Sequence, residues 1–489
     1  MRGYVGVVFF LLPATCYLLP PARLQAAPAV LWSARYDGPV HGEDKLTGLV
    51  TDSAGNCWLS GYSFGDTTDF DFATLRVSPQ GKTAWTRRYG SPLKCEDRSW
   101  CLARDSAGSI IAAGGSIADF NLGWDFLLIK YNRAGDRVWL RRYDSPFHSD
   151  DKPAAIAVGP RNCLYVAGFS KHKPAPDSQP ATRNPQLART DCDVSLVKYS
   201  AKGDTIWQRF YNGRAGRDDG AIALAVDRGG NCYVVAKVVN REPGADITLL
   251  KYRPDGSLAW FRDIDGPGHS ADLPTAVLLS DSPLASRLSS LVFVVGTVTG
   301  AGTSFDYYTS CFDTTGNQLW QQTYDGAGKV DVATAACLDS AGDILVTGQS
   351  TGAASSFDIA TVKYSPTGER LWARRYNGAH NDADRGSCIV ADRQGQVIVG
   401  GNSVGTSGFP DMVLLGYSAA GDTLWTFTHA GTGAGESKPV VILPAPGNSQ
   451  PATRNSQLVT RNPQLFVAGY ENNTGTSFDY LLMLVDTSR

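Results

Sequence analysis

The feature that most constrains the fold is a tryptophan that recurs at near-constant intervals along the 489-residue chain. The intervals are 53, 54, 68, 53, 60, 52 and 53 residues, between Trp32, Trp85, Trp139, Trp207, Trp260, Trp320, Trp372 and Trp425. Self-similarity at such a period is typical of repeat architectures, and a four-stranded propeller blade has this length. The period predicts one large repeat domain rather than several unrelated ones.

An aspartate recurs at a fixed distance from the tryptophan. It lies 14 residues before each of the last seven: Asp71, Asp125, Asp193, Asp246, Asp306, Asp358 and Asp411. The interval holds two alternating apolar runs joined by a glycine-containing turn such as SPTGE, which is the pattern of a hairpin. Two more strands precede it, as in KLTGLVTDSAGNCWLSGYS, where an Asp-x-x-Gly-Asn turn joins them. Each unit therefore contains four antiparallel strands.

The two ends of the repeat region complement each other. In the eighth unit, Asp479 begins the third strand, but no strand with a tryptophan follows it. At the other end of the chain, the strand with Trp32 has no strands of its unit before it. This offset predicts that the N-terminal strand completes the last blade and leaves no open sheet edge. We therefore predict an all-β fold, a single eight-bladed β-propeller of four-stranded antiparallel blades, over residues 30–489.

The repeat unit also resembles a known family. Segments of the form AVD..GN.YV.G and D..LVKYS..G...W..RY are similar to the SBBP-type β-propeller repeat of bacterial exported and surface proteins, over residues 31–486. The resemblance implies a propeller and export. It implies no particular reaction and no catalytic residues, since the family has none in common.

The N-terminus and the composition bear on location and partners. Residues 1–29 have the basic start, apolar run and small residues of a secretory signal, and the run is too short for a membrane span. We expect a secreted, periplasmic or cell-surface protein without a membrane span after cleavage. A net charge of −2 with dispersed Lys and Arg excludes a nucleic-acid partner. Two polar segments, near residues 174–190 and 444–464, are interpreted as inserted loops.

Nine cysteines remain after the predicted cleavage, and several occupy equivalent repeat positions that lie far apart in a propeller. We interpret most of them as small buried hydrophobic residues. A local disulfide between Cys95 and Cys101 is the alternative left open.

A second periodic aspartate lies where the outer strand of one blade passes to the inner strand of the next. It follows the tryptophan by 12 residues, or 11 for Asp331, at Asp44, Asp97, Asp151, Asp219, Asp272, Asp331 and Asp384. The preferred interpretation is that its carboxylate accepts backbone N–H groups and fixes the turn. Binding of a cation or another ligand is the alternative.

Histidines share these crossover loops, three of them in the spacing H-x-x-D: His41, His148 and His269. An imidazole with a carboxylate can ligate a metal. The loops enter alternate blades, however, so neighbouring histidines cannot share one ion, and a polar turn residue is the preferred interpretation. An arginine two residues after most of the tryptophans, as at Arg87, is expected to bridge blades or cover aromatic faces.

These observations favour a non-catalytic binding, adhesion or scaffold module with a protein or glycan partner, acting as a monomer. No cofactor is predicted, although calcium would suit acidic crossover loops. The alternative is a periplasmic enzyme of the eight-bladed quinoprotein type, or an assembly scaffold that resembles it. The chain has no adjacent cysteine pair of the kind that such enzymes use. We expect any ligand on the face that carries the crossover loops, because these vary while the opposite turns are nearly uniform.

Overall fold

The computed structural model describes residues 27–119, 123–145, 149–172, 191–241, 244–280, 290–302, 304–352, 355–405, 408–431, 433, 435–446, 464–475 and 477–487. In these residues, 32 β-strands form eight four-stranded antiparallel sheets. The helical structure described is a single 3-10 turn at Pro160–Asn162. The prediction of an eight-bladed propeller is confirmed.

Each blade runs from an inner strand to an outer strand. Blades one and two are β2 (Asp44–Thr51), β3 (Cys57–Phe64), β4 (Phe70–Val77), β5 (Thr83–Tyr89), and β6 (Asp97–Arg104), β7 (Ile110–Asp119), β8 (Gly123–Tyr131), β9 (Arg137–Tyr143). Blades three and four are β10 (Asp151–Val158), β11 (Leu164–His172), β12 (Asp191–Tyr199), β13 (Thr205–Tyr211), and β14 (Gly220–Val226), β15 (Cys232–Arg241), β16 (Gly244–Tyr252), β17 (Leu258–Ile264).

The remaining blades repeat this order. Blades five and six are β18 (Leu273–Ser280), β19 (Leu291–Thr299), β20 (Phe305–Phe312), β21 (Gln318–Tyr324), and β22 (Asp331–Leu338), β23 (Ile344–Thr351), β24 (Phe357–Tyr364), β25 (Arg370–Tyr376). Blades seven and eight are β26 (Arg385–Ala391), β27 (Val397–Val404), β28 (Pro410–Tyr417), β29 (Thr423–His429), and β30 (Ser437–Pro444), β31 (Gln464–Asn472), β32 (Phe478–Asp486), β1 (Ala29–Tyr36).

The ring closes through the N-terminal strand. β1 pairs antiparallel with β32, from Ala29 opposite Asp486 to Tyr36 opposite Tyr480. The last sheet therefore has the order β1-β32-β31-β30. This pairing satisfies the edge that β32 would otherwise expose, as the offset of the repeat predicted.

The blades pack through both faces of their middle strands. Val234 and Val235 are consecutive and fully buried, yet Val234 packs with blade three and Val235 packs with blade five. Successive side chains of a strand point to opposite faces, so a strand between two neighbours needs apolar residues at every position. The core is therefore divided into layers between blades.

We name the two ends of the propeller by their connections. The bottom face carries the turns from first to second strand and from third to outer strand. The top face carries the second-to-third loops and the crossovers into the next blade. The predicted inserts lie between β11 and β12 on the top face and between β30 and β31 on the bottom face, largely outside the described residues.

A repeated contact, which we call the indole clasp, joins neighbouring blades at the bottom face. The outer-strand indole N–H donates to a carbonyl in the third-to-outer turn of the next blade, and the ring lies against that turn's glycine. Gly135, for example, has a φ of 89°, and a Cβ there would lie 2.8 Å from the Trp85 ring. Only glycine suits both the backbone conformation and the contact. Five arginines that follow these tryptophans, such as Arg87, donate from Nε to the same turns at 2.6–2.8 Å.

Seven clasps have N···O distances of 2.9–3.3 Å. They join Trp32 to Pro79, Trp85 to Arg133, Trp139 to Ala201, Trp207 to Pro254, Trp260 to Thr314, Trp320 to Pro366, and Trp372 to Ala419.

The seam between blades seven and eight differs from the other junctions. Blade eight has no third-to-outer turn, because its outer strand comes from the N-terminus. Trp425 is 1% exposed, and its Nε1 has no hydrogen-bond partner among the described residues. On the top side of the same seam, the buried Glu471 of blade eight accepts from Arg35 of β1 and bonds to His429 of β29. The His429–Glu471 hydrogen bond therefore links blades seven and eight at the face opposite the missing clasp.

Two further predictions concern the described residues. The nine cysteines of the described residues are all free thiols, so the alternative Cys95–Cys101 disulfide is not formed. None of the helical structure described is long or apolar enough to cross a membrane.

Candidate functional site on the top face

The seven crossover aspartates are buried, with at most 2% exposure. Each carboxylate accepts the backbone N–H of a residue five or six positions earlier in the crossover. The donor–acceptor pairs are Gly38–Asp44, Ser91–Asp97, Ser145–Asp151, Gly213–Asp219, Gly266–Asp272, Gly326–Asp331 and Gly378–Asp384. These bonds satisfy a backbone donor in each of these seven crossovers, which is what the turn interpretation requires.

In Asp97, Asp219 and Asp272 the second oxygen accepts from the second strand of the blade that the crossover enters. Asp97 accepts from the Ser116 hydroxyl, and Asp272 accepts from the Thr299 backbone N–H at 2.8 Å. Burial raises the pKa of Asp44, Asp151 and Asp219 to about 6, against the lowering effect of these hydrogen bonds. The aspartates thus connect two strands and a turn, and each supports the site that the loops above it form.

The histidines do not join these carboxylates. His41 and His269 bond through Nδ1 to Asp37 and Asp265, four residues earlier, rather than to the aspartate of the H-x-x-D spacing. Both have a positive φ, 55° and 46°, as does Asn381 at 56° in the same position of blade seven. A left-handed turn position tolerates short polar residues, so the histidines occupy a turn position. His148 lies outside the described residues.

Three carboxylates come together at four blade junctions, with one ligand atom from each lying within 4.8 Å of the others. The groups are Asp37, Asp44 and Asp479; Asp125, Asp144 and Asp151; Asp246, Asp265 and Asp272; and Asp306, Asp325 and Asp331. Each combines a crossover aspartate with the end of an outer strand and the start of a third strand. Carboxylate oxygens are ligands that Ca²⁺ accepts, so the predicted calcium site would lie at one of these junctions.

Arginines compensate some of this charge. Arg88, Arg142 and Arg375 form ion pairs of 2.8–3.0 Å with the third-strand aspartates of blades one, two and six. On blades four and five, Asp263 and Thr323 occupy the equivalent arginine positions. Burial, and then the charges of Asp265 and Asp272, raise the pKa of Asp246 to about 6. The carboxylate groups at the junctions of blades four with five and five with six therefore have no arginine in this position.

The opposite side of the top face combines aromatic rings with cations. At three consecutive junctions, the residue after the crossover aspartate places a cation over rings of the preceding blade. Lys45 lies 4.8 Å from the Phe478 ring and 5.8 Å from Tyr470. Arg98 lies 4.3 Å from Phe70 and 4.8 Å from Tyr62. These distances are typical of cation–π contacts.

The third junction forms the same contact with different residues. Lys152 lies 5.0 Å from the Trp124 ring. Gly115 stands where the other two blades have tyrosine, and Trp100 of the inner strand fills that space, with its ring 5.4 Å from Trp124. We call these nine residues the aromatic–cation arc: Lys45, Tyr62, Phe70, Arg98, Trp100, Trp124, Lys152, Tyr470 and Phe478. All are partly exposed.

An acid precedes each crossover aspartate of the arc. Glu43 pairs with Lys45 at 2.8 Å, and Glu96 pairs with Arg98 at 3.1 Å. Asp150 pairs with Lys171 of the same blade at 3.0 Å, which is not a member of the arc. The exposed side chain of Phe64 packs edge-on against Phe70 at 5.3 Å. At its first two junctions the arc therefore presents rings beside paired donors and acceptors.

The remaining junctions lack this combination. Gly220, Leu273 and Val332 replace the cation on blades four to six. Arg385 on blade seven lies 5.8 Å from Phe357, with Gln349 in place of the tyrosine. The arc is thus confined to the junctions of blades eight, one, two and three.

Part of this arrangement has a signal in the sequence that we did not use. The triplets EDK at 43–45, EDR at 96–98 and DDK at 150–152 flank crossover aspartates of consecutive blades. An aromatic residue precedes the third-strand aspartate on five blades, at Phe70, Trp124, Phe305, Phe357 and Phe478, and such a triplet follows only those of blades one, two and eight. Comparing the neighbours of the periodic aspartates, rather than the aspartates themselves, would have indicated this side of the ring.

Comparisons with known proteins identify no family for this chain. No protein-family model matches the chain, and no curated protein matches it. Among solved structures, PorZ of Porphyromonas gingivalis, described as a bacterial surface component of the type-IX secretion system, is 12% identical with a TM-score of 0.38. That match covers 89% of this chain, which spans about half (52%) of the PorZ chain.

Two other matches are similarly distant. A PL25 ulvan lyase is 9% identical over 79% of this chain and 91% of that chain, with a TM-score of 0.41. Drosophila plexin A, solved with semaphorin 1b, is 10% identical over 94% and 87%, with a TM-score of 0.39. At these identities the matches say nothing about a ligand or an activity.

Proposed function

We propose that this chain is an exported, non-catalytic binding module built from SBBP-type repeats, which acts as an adhesion or scaffold protein and binds a protein or glycan through its top face. Residues 1–29 would direct export, and residues 30–489 would form the mature propeller. Calcium would be an accessory ion, held at a top-face carboxylate group.

One observation carries the proposal: aromatic rings and cations are combined in one continuous sector of the top face, at the junctions of blades eight, one, two and three. The tryptophans, turn glycines and crossover aspartates recur around the ring and are engaged in hydrogen bonds that hold it together. The aromatic–cation arc occupies three adjacent junctions. Blades four to six have no cation at the equivalent position. Residues that maintain a repeat are copied with it, whereas a binding site on a rigid scaffold uses positions that vary.

The composition of the arc suits recognition. Tyrosine, tryptophan and arginine combine apolar area with a polar group, and they are the residues that contribute most to binding interfaces. Phe64, exposed at 38%, and Leu93, exposed at 42%, extend the apolar surface on the adjacent loops. Variable top-face loops surround this sector.

A binding screen of the purified mature chain on glycan and protein arrays tests the proposal. We expect a ligand whose binding is lost when Arg98 and Trp124 are replaced by alanine, and retained when Arg385 and Phe357 are replaced in the same way. Incubation with pyrroloquinoline quinone and calcium is the second arm. A bound chromophore with dye reduction would contradict the binding-module assignment and favour the quinoprotein alternative.

A further inference from the structure

We infer that the aromatic–cation arc binds an extended, uncharged polysaccharide, with successive sugar rings lying on successive blade junctions. This inference rests on the proposed function and specifies its ligand. It follows from three properties of the arc: its repetition, its charge balance and the accessibility of its rings.

The repetition of the contact favours a ligand that is itself repetitive. Three neighbouring junctions each present two rings and one cation: Tyr470 and Phe478 with Lys45 over both, Tyr62 and Phe70 with Arg98 over both, and Trp124 with Lys152 over it and Trp100 beside it. A folded protein would present a different set of side chains to each of the three junctions. A polymer of like sugar units would meet each with the same chemistry.

The substitution at the third junction supports this argument. Gly115 removes the tyrosine found at the other two junctions, and a Cβ at Gly115 would lie 2.4 Å from the Trp100 ring. A ring from the inner strand thus takes the place of one from the second strand. The pair of rings is retained although the residues that supply it have changed.

The charge balance favours an uncharged ligand. Glu43 with Lys45 and Glu96 with Arg98 each place a carboxylate acceptor beside a cationic donor, at 2.8 and 3.1 Å. Adjacent hydroxyl groups of a sugar can donate a hydrogen bond to the carboxylate and accept one from the cation. An acidic polymer would instead have to compete with these carboxylates for each cation.

The rings are partly exposed, so sugar rings can reach them. Tyr62, Phe70, Trp100 and Trp124 are each intermediate in exposure, and the Phe64 side chain projects beside them. The apolar face of a pyranose ring packs on an aromatic ring, while its hydroxyl groups keep polar partners at the edge. Each junction offers both.

Isothermal titration calorimetry of the mature chain with hexasaccharides tests the inference. The probes are cellohexaose, mannohexaose, xylohexaose and maltohexaose, with polygalacturonate and heparin as acidic comparators. We expect at least one neutral hexasaccharide to bind, with an affinity that changes less than about twofold between about 50 and 500 mM NaCl, because neutral contacts are not screened. The corresponding disaccharide should bind at least about tenfold more weakly, since it reaches fewer junctions.

Matched substitutions locate the site. Phe70→Ala and Trp124→Ala should each weaken binding of that hexasaccharide about tenfold, as expected for loss of one aromatic contact. Phe357→Ala, at the same repeat position on blade six, should leave it unchanged. Should either arc variant fail to fold, Lys152→Ala and Phe64→Ser probe the same sector from its more exposed positions, and each should weaken binding at least about threefold.

The outcomes separate this inference from the proposed function. Binding of polygalacturonate or heparin alone, lost at high salt, would overturn the uncharged ligand. If a protein from the array binds the parent chain but not the Phe70→Ala and Trp124→Ala variants, the polysaccharide inference is overturned and the binding-module proposal stands. Binding of no array member, or binding that both variants retain, would overturn both.

Discussion

The bottom and top faces of this propeller are built from the same repeat, yet they have diverged to different degrees. At the bottom, seven junctions have the same indole clasp, with closely similar distances. At the top, seven junctions combine the same buried aspartate with different neighbours, from the rings beside Arg98 to the carboxylates beside Asp246, and Ser437 stands in its place at the eighth. Uniform contacts fix the scaffold, and that leaves the other face free to vary.

The top face itself is divided. Blades eight to three carry the aromatic–cation arc, whereas the junction of blades four and five brings Asp246, Asp265 and Asp272 together without an arginine in the equivalent positions. A propeller can therefore carry two chemically distinct sectors on one face, because each junction is built from only two blades.

Opening the ring should have the largest effect. Deleting residues 29–36 removes β1, its pairing with β32 and the Trp32 clasp, and it leaves blade eight with an exposed edge. We expect a loss of more than about 5 kcal/mol, comparable to the whole stability of many domains. Circular dichroism melting measures it, with Leu31→Ser, at an exposed position of the same strand, as control. A deletion variant that melts with the parent would refute closure by β1.

Truncating one tryptophan on each face compares the faces directly. Trp139→Ala removes a clasp and a side chain that is 8% exposed, so we expect a loss of about 3–5 kcal/mol in the free energy of unfolding. Trp124→Ala removes a partly exposed ring of the arc and should cost about 1 kcal/mol. Urea denaturation measures both. Equal losses would show that the arc is structural.

Replacing tryptophan by phenylalanine isolates the hydrogen bond of the clasp. Trp207→Phe removes the donor to the Pro254 carbonyl, which is 3.1 Å away, whereas Trp425→Phe removes a buried N–H without a described partner. We expect Trp207→Phe to be more destabilising than Trp425→Phe by about 1–3 kcal/mol. The first substitution loses a hydrogen bond, whereas the second removes a buried donor that has no described partner. Both variants make the same change in side-chain volume, so the difference reports on the hydrogen bond. A larger loss of stability in Trp425→Phe than in Trp207→Phe would contradict the role of the clasp.

The pH dependence should be the smallest of these effects. The pKa of Asp44, Asp151, Asp219 and Asp246 is raised from 3.8 to about 6. Because these carboxyls hold protons more tightly in the folded chain, stability should fall as pH rises through about 6. We expect the melting temperature to be roughly 2–4 °C higher at about pH 5 than at about pH 7.5.

A single variant tests the cause of that slope. Asp246→Asn removes one of the like charges between blades four and five and should raise the melting temperature at about pH 7.5 more than at about pH 5. Scanning calorimetry at the two pH values measures both effects. A melting temperature that rises with pH, or a slope that Asp246→Asn leaves unchanged, would contradict the assignment.

Much of the scaffold could be predicted from the sequence because its signals are local and periodic. The Trp–Asp interval defines the outer hairpin, and the offset between Trp32 and Asp479 predicts closure. The missing acceptor for Trp425 follows from the same offset, since blade eight has no hairpin turn. The pairing of His41 with Asp37 was not predicted, because it depends on the left-handed turn between them.

The candidate site could not be predicted in the same way, because its contacts cross between blades. Arg98 of the inner strand in blade two covers Phe70 and Tyr62, which lie on two strands of blade one. The cation and the third-strand ring are 28 residues apart at both Arg98–Phe70 and Lys152–Trp124. That separation gains meaning only once neighbouring blades are known to pack on each other, and Trp100 supplies a ring from a different strand. The periodic aspartates were named as candidates because they recur around the ring, and ligand binding by them stays a prediction.

Hydrogen–deuterium exchange of the mature chain, with and without the neutral hexasaccharide that binds most tightly, tests the division between the faces most directly. We predict slower exchange in top-face peptides around residues 43–45, 62–70, 96–100 and 123–125, with the bottom turns around residues 132–136 and 254–257 unchanged. Protection at the bottom turns, or at residues 244–247 and 271–273 of blades four and five instead of the arc, would contradict the account.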